Sequence, residues 1–182
     1  MRSVVLVFAA GCVSHAVVAP RGVQVWESRN SDAITEGETT LDVDPQTAYA
    51  TAVDYKRWSA IFPDVVHVDV TSTAGVDARV TLVHADGNRD NVHFHNQPGA
   101  GIVWFEDTGG AAQVWAEIAF QPGDRPNTTR VHSRLYASVH GIASLFVSDA
   151  HVRELREQRV SDDLVHLHAY FANRYAVSRS RR

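Results

Sequence analysis

The chain has 182 residues, of which 45% are hydrophobic and 21% charged, and its formal net charge is -4. This length suits one domain with a sizeable core, and the composition is that of an ordinary soluble protein without the basic face that nucleic acid requires. The single cysteine, Cys12, excludes an intramolecular disulfide and any cysteine-built metal site.

The first 19 residues read as a leader. "MRSVVLVFAAGC" places Arg2 before an apolar run from Val4 to Ala10, then small residues before the cysteine. The run is too short to cross ~30 Å of hydrocarbon, but it fits the apolar region of a secretion signal. Ala9-Ala10-Gly11-Cys12 resembles a bacterial lipobox, in which the cysteine becomes the lipidated first residue. Ala9 stands where that pattern usually has leucine. A cut after Ala19 is the second option, with Val17 and Ala19 at the recognition positions and Pro20 placed unfavourably after it. The expectation is an exported protein of the periplasm or cell envelope, lipid-anchored through Cys12.

Residues 20–36 read as a connecting arm with a short strand at "VQVW". "TTLDVD" follows as a strand with Leu41 and Val43 on one face. Asp44-Pro45 marks a helix start, since Asp44 suits the N-cap and Pro45 the first helical position. Ala48, Ala52, Tyr55 and Trp58 are at helical spacing, and the β-branched residues among them predict two short helices, stopped by Pro63.

Beyond Pro63 the pattern alternates: "VVHVDVTST", "DARVTLVH", "RDNVHFHN", "GIVWFEDT", "AQVWAEIAF" and "TTRVHSRLYASV", separated by turn residues. With the strand before the helices, this predicts about seven strands in antiparallel hairpins. A three-residue loop Ala85-Asp86-Gly87 would put glycine at the left-handed position and pair Val80 with Val92 and Ala78 with Phe94. The last segment, from about Ser148 to Tyr175, reads as one helix with Val160, Leu164, Leu167 and Phe171 as its apolar stripe. Arg153, Glu154, Arg156, Glu157, Arg159, Asp162 and Asp163 fall on its other face. A curved sheet with one apolar face needs a cover, and this helix is the obvious one.

That order, with the stretch "VDPQTAYATAVDYKRWSAIFPDVVHVDV", resembles the START-like (SRPBCC) superfamily, which includes the polyketide cyclase/dehydrase, lipid-transport and coenzyme Q-binding families. The resemblance covers roughly residues 37–175. It implies an α+β helix-grip fold, a curved antiparallel sheet wrapped on the long C-terminal helix, with an apolar cavity between them. The expected organisation is a leader (1–19), an arm (20–36), the START-like domain (37–176) and a basic tail (177–182).

Chemistry-bearing residues are few. His93 and His95 have a known ligand spacing, but the hairpin register points them outward and no third ligand accompanies them, so no metal is expected. His166 and His168, two apart on a helix, read as surface residues. Arg130, His132, Arg134 and Tyr136 read as a solvated strand face. Ser133 and His84 fall on inward faces. The leading expectation is a binding or carrier protein for a lipid, isoprenoid or polycyclic ligand, with no cofactor, lined or gated by Trp58, Phe62, Trp104, Trp115, Ile118 and Leu135. The alternatives are a cyclase or dehydratase using His84, Ser133 or Tyr136 as acid-base groups, and an envelope interaction module whose core is filled by its own side chains.

Overall fold

The computed structural model describes residues 22–107, 112–139 and 147–179. The expected leader, Cys12 and the last residues of the basic tail lie outside the described residues. Eight antiparallel strands form one sheet: β1 (Gln24–Glu27), β2 (Ile34–Leu41), β3 (Val65–Ala74), β4 (Asp77–His84), β5 (Arg89–Gln97), β6 (Ile102–Asp107), β7 (Ala112–Pro122) and β8 (Thr129–Val139). Their order across the sheet is β1-β2-β8-β7-β6-β5-β4-β3. Helices α1 (Pro45–Ala52) and α2 (Trp58–Ile61), joined by a 3₁₀ turn at Tyr55–Arg57, sit between β2 and β3, and α3 (Asp149–Arg179) closes the chain order.

Local chemistry accounts for these boundaries. The Asp44 carboxylate accepts the Thr47 N–H at 2.9 Å and caps α1, with Pro45 in the first turn. The Ser148 hydroxyl accepts from the His151 N–H at 3.2 Å at the start of α3. Gly87 takes a φ of 86° in the loop after β4, and Val80 pairs with Val92 and Ala78 with Phe94, as the three-residue loop requires. Val160, Leu164, Leu167 and Phe171 are buried and turn α3 onto the sheet.

The arm is more ordered than its composition suggests. "VQVW" supplies β1, and β2 begins at Ile34, five residues before the "TTLDVD" run. Before Leu41 the inner face of β2 carries Thr35, Gly37 and Thr39, not large apolar groups, because α3 lies directly on it. A Cβ at Gly37 would come within 2.6 Å of Val160 Cγ1 and 2.8 Å of Leu164 Cδ1. Arg156 completes the seam: its guanidinium donates to Thr35 Oγ1 at 3.3 Å, to the Ala137 carbonyl at 3.1 Å and to the Asp32 carbonyl at 2.6 Å. Arg156, expected on the outer face of α3, is buried to 5% exposure, because four residues before Val160 it continues the line of the apolar stripe. His168, read as a surface residue, has its Nδ1 within 3.4 Å of the Thr39 hydroxyl on the same seam.

Candidate functional site

The short helices fill the opposite half of the grip. Tyr55, Trp58 and Phe62 enter an aromatic cluster with Phe94 and Phe105; Trp58 alone has its ring 5.1 Å from Phe62, 5.1 Å from Phe94 and 5.9 Å from Tyr55. The Trp58 indole N–H donates to the Ala52 carbonyl at 2.9 Å, tying α2 back to the end of α1. The Tyr55 hydroxyl exchanges hydrogen bonds with the Asn96 side chain on β5, and burial pushes its pKa up to about 12.

Beneath α2 and α3 lies an apolar crevice. Its walls are Trp58, Ile61 and Phe62 from the α2 segment, Val103, Ile118 and Phe120 from the sheet, and Leu164 and Leu167 from α3. The enclosed space is about 20 Å³, room for roughly one water molecule. The aromatic side chains of the α2 segment therefore occupy most of the volume between sheet and helix.

Of the six expected lining residues, Trp58, Phe62 and Ile118 meet at this crevice. Leu135 is buried on the same sheet face and packs in the surrounding core. Trp104 and Trp115 are placed elsewhere. Trp104 pairs across the sheet with His95 and Glu117, and Trp115 with Glu106 and Tyr136, so both project from the outer face. There Trp115 stacks on Tyr136 at 5.6 Å and 7°, with the Arg134 guanidinium 6.0 Å from its ring. The solvated face expected of Arg130, His132, Arg134 and Tyr136 is thus a partly covered one, since His132 also stacks on Trp26 at 6.0 Å.

Two polar side chains reach the crevice: Ser133 from β8 and Asp163 from α3. The expected outer-face position of Asp163 is corrected here. It lies three residues after Val160 and four before Leu167, on the flank of the apolar stripe. One of its oxygens, Oδ2, accepts from Arg159 Nε at 3.1 Å, and Arg159 reaches on to Asp64 Oδ2 at 3.0 Å. Asp64, in the turn after α2, is also 3.3 Å from His84 Nδ1, and His84 Nε2 is 2.8 Å from Asp90. A continuous chain of charges, Asp90, His84, Asp64, Arg159 and Asp163, thus runs from the sheet end across the α2–β3 turn to α3.

The surroundings shift the proton affinities of His84, Asp64 and Asp163. Hydrogen bonds to Asp64 and Asp90 raise the His84 pKa from 6.5 to about 9, so it is a cation at neutral pH. The His84 hydrogen bond and the Arg159 charge hold the Asp64 carboxyl well below the usual carboxylate range, whereas burial pushes Asp163 up. One guanidinium thus stands between two carboxyls whose affinities for a proton have been driven apart.

The expected acid-base trio does not assemble. Ser133 reaches the crevice, His84 is engaged by two carboxylates at the end of β4, and Tyr136 lies stacked on the other face. His95 Nδ1 is 2.8 Å from Asp77, with His93 near Asp77 and Glu106, but among the described residues no three His, Cys, Asp or Glu groups converge to hold a metal ion. No helix among the described residues is long and apolar enough to cross a membrane.

An eight-stranded antiparallel sheet gripping one long C-terminal helix, with two short helices after the second strand, is the START-like helix-grip fold. Solved structures share it. The protein TTHA0849 from Thermus thermophilus superposes with a TM-score of 0.66 at 18% identity, over 77% of this chain and 97% of that one. The Zhui aromatase/cyclase from Streptomyces sp. R1128 gives 0.66 at 12% identity, over 84% and 96%. A START superfamily protein from Mycobacterium smegmatis gives 0.63 at 11%, over 77% and 97%. At these identities the likeness is one of fold. No protein-family model matches the sequence, and no curated protein does.

Proposed function

We propose that this protein binds or carries a hydrophobic small molecule in the crevice between its sheet and α3. The carrying observation is the crevice itself: an almost wholly apolar lining with two polar side chains, Ser133 and Asp163, placed on it. That is the usual make-up of a small-molecule site, where apolar walls supply affinity and a few polar groups supply orientation. The START-like fold, shared with a protein described as an aromatase/cyclase, supports the same reading. Burial of apolar ligand area would contribute roughly 25 cal/mol per Å².

A space of about 20 Å³ admits no such ligand as it stands, so loading requires the α2 segment to move. That segment is four residues long, is bounded by the 3₁₀ turn and Pro63, and carries Trp58 and Phe62 into the crevice. We further propose that the chain is exported and lipid-anchored through Cys12, on the strength of the leader pattern. The filled crevice favours one competing reading, an interaction module with a closed core.

Gentle extraction followed by lipid mass spectrometry, with titration of a fluorescent apolar probe, separates the two. A co-purifying or saturably bound apolar molecule supports the carrier. Protein that emerges empty and leaves the probe's emission unchanged would establish the closed core. Palmitate labelling tests the anchor: wild-type protein should partition into detergent and a Cys12→Ser variant should not.

A further inference from the structure

Five titratable groups form a chain that ends at the crevice, three acids and two bases. Asp64, Asp90 and Asp163 supply three carboxyl groups, while Arg159 and the protonated His84 supply two cations. Arg159 divides its fork between Asp64 and Asp163, and His84 between Asp64 and Asp90, so both cations lean toward Asp64. Among the described residues Asp90 and Asp163 have one ion-pair partner each, but Asp90 is 39% exposed to water and Asp163 25%. The carboxyl group whose anionic form has the least compensation is therefore Asp163, held through Oδ2 by Arg159 Nε, and burial raises its pKa accordingly. It is also the one that lines the crevice, beside Leu164 and Leu167 and facing Trp58 and Phe62. His166 is the remaining titratable group whose charge acts on Asp163.

An apolar slot ending in an undercompensated carboxylate matches a ligand with an apolar body and a positively charged end. A neutral lipid would leave Asp163 as it is, and an anionic one would meet like charge. We propose that the crevice selects a lipophilic amine, with the apolar body between Trp58, Phe62, Ile118 and Leu164 and the ammonium donating to the Asp163 carboxylate. The proposal rests on the crevice being a ligand site and adds the chemical class. An incoming ammonium supplies the counter-charge that the anionic form of Asp163 lacks. A charge-assisted hydrogen bond contributes ~1.5–3 kcal/mol, which corresponds to roughly a tenfold to hundredfold gain in affinity.

The test uses three molecules with one apolar body: 1-naphthylmethylamine, 1-naphthalenemethanol and 1-methylnaphthalene, titrated near neutral pH with naphthalene emission and calorimetry as readouts. The amine should bind about tenfold or more tightly than the alcohol. Asp163→Asn, which keeps the side-chain shape, should bring the ratio of amine to alcohol affinity to within about twofold of one, whatever the absolute affinities. Equal binding of all three, or a preference for the amine that survives in Asp163→Asn, would overturn the amine proposal and leave the crevice as a site for neutral ligands. Failure of all three to bind wild-type protein would overturn the ligand site and the amine proposal together.

Discussion

His84 offers the sharpest test of the charge chain, because its effect has a sign and a pH window. Its folded pKa, about 9, lies above the ordinary value of 6.5. A group whose pKa is raised on folding contributes stability that is full below the unfolded value and is lost as pH rises through the folded one. The window is therefore from about pH 6.5 to pH 9. At 1.36 kcal/mol per pH unit the ceiling is about 3 kcal/mol. His84 itself is only 15% exposed, but Asp64 and Asp90 are 42% and 39% exposed, so water screens the pair. A realised value of ~2 kcal/mol is expected. Urea unfolding of wild type and His84→Gln between about pH 6 and pH 10 measures it. The wild type should lose ~2 kcal/mol more than the variant across that range. The Tyr55 hydroxyl, held at about 12, stays protonated throughout, and ionisations common to both proteins cancel in the difference. Parallel curves for the two proteins would refute the assignment of His84 as a cation between Asp64 and Asp90.

Three further outcomes follow from the packing. Trp58 is a core residue by its contacts, so Trp58→Ala should cost ~3–5 kcal/mol in chemical denaturation; a loss under ~1 kcal/mol with altered probe uptake would instead make it a freely moving gate. Gly37→Ala forces a methyl group against Val160 and Leu164 and should cost ~1–3 kcal/mol in thermal or urea unfolding, whereas an unchanged stability would mean that α3 does not press on β2. Trp115→Ala, on the outer face, should leave probe affinity within about twofold of wild type by titration, since the ring lies outside the crevice lining.

Much of the fold was legible because it is written in local chemistry. Asp44 and Pro45 announce a helix start on their own, and Gly87 fixes a loop length from which the Val80–Val92 register follows. What was not legible depends on partners far along the chain. Before Leu41 the inner face of β2 is Thr35, Gly37 and Thr39, a weak strand signal, and it makes sense only once Val160 and Leu164 are known to sit against it. The carboxylate of Asp163 lay within reach of helical arithmetic, but a charged residue on the flank of a stripe is ordinarily solvated. Trp115 shows the reverse error. The alternation that turns Val114, Ala116, Ile118 and Phe120 inward also turns Trp115 outward, and its aromatic ring outweighed its parity. On β6 parity gave no guidance, since Val103 and Phe105 are apolar on one face and Ile102 and Trp104 on the other.

The two long sides of the grip are secured in different ways, and this decides which part must yield if the crevice is to open. The first half of α3 is fixed by contacts that tolerate little motion. Arg156 commits its buried guanidinium to Thr35, Ala137 and Asp32, so pulling the helix away would strand three oxygens and a charge. Gly37 lets the helix approach to the limit of van der Waals contact. The α2 segment has one short helical turn, one indole hydrogen bond to Ala52, and an Asp64–Arg159 bridge whose side chains are 42% and 41% exposed. Exposed pairs of that kind contribute ~0–1 kcal/mol. What holds α2 down is chiefly the burial of Trp58 and Phe62, and an apolar ligand replaces that burial with its own. Opening by displacement of α2 over a stationary α3 is therefore the low-cost route, and it leaves Asp163, carried by α3, in place to meet whatever enters.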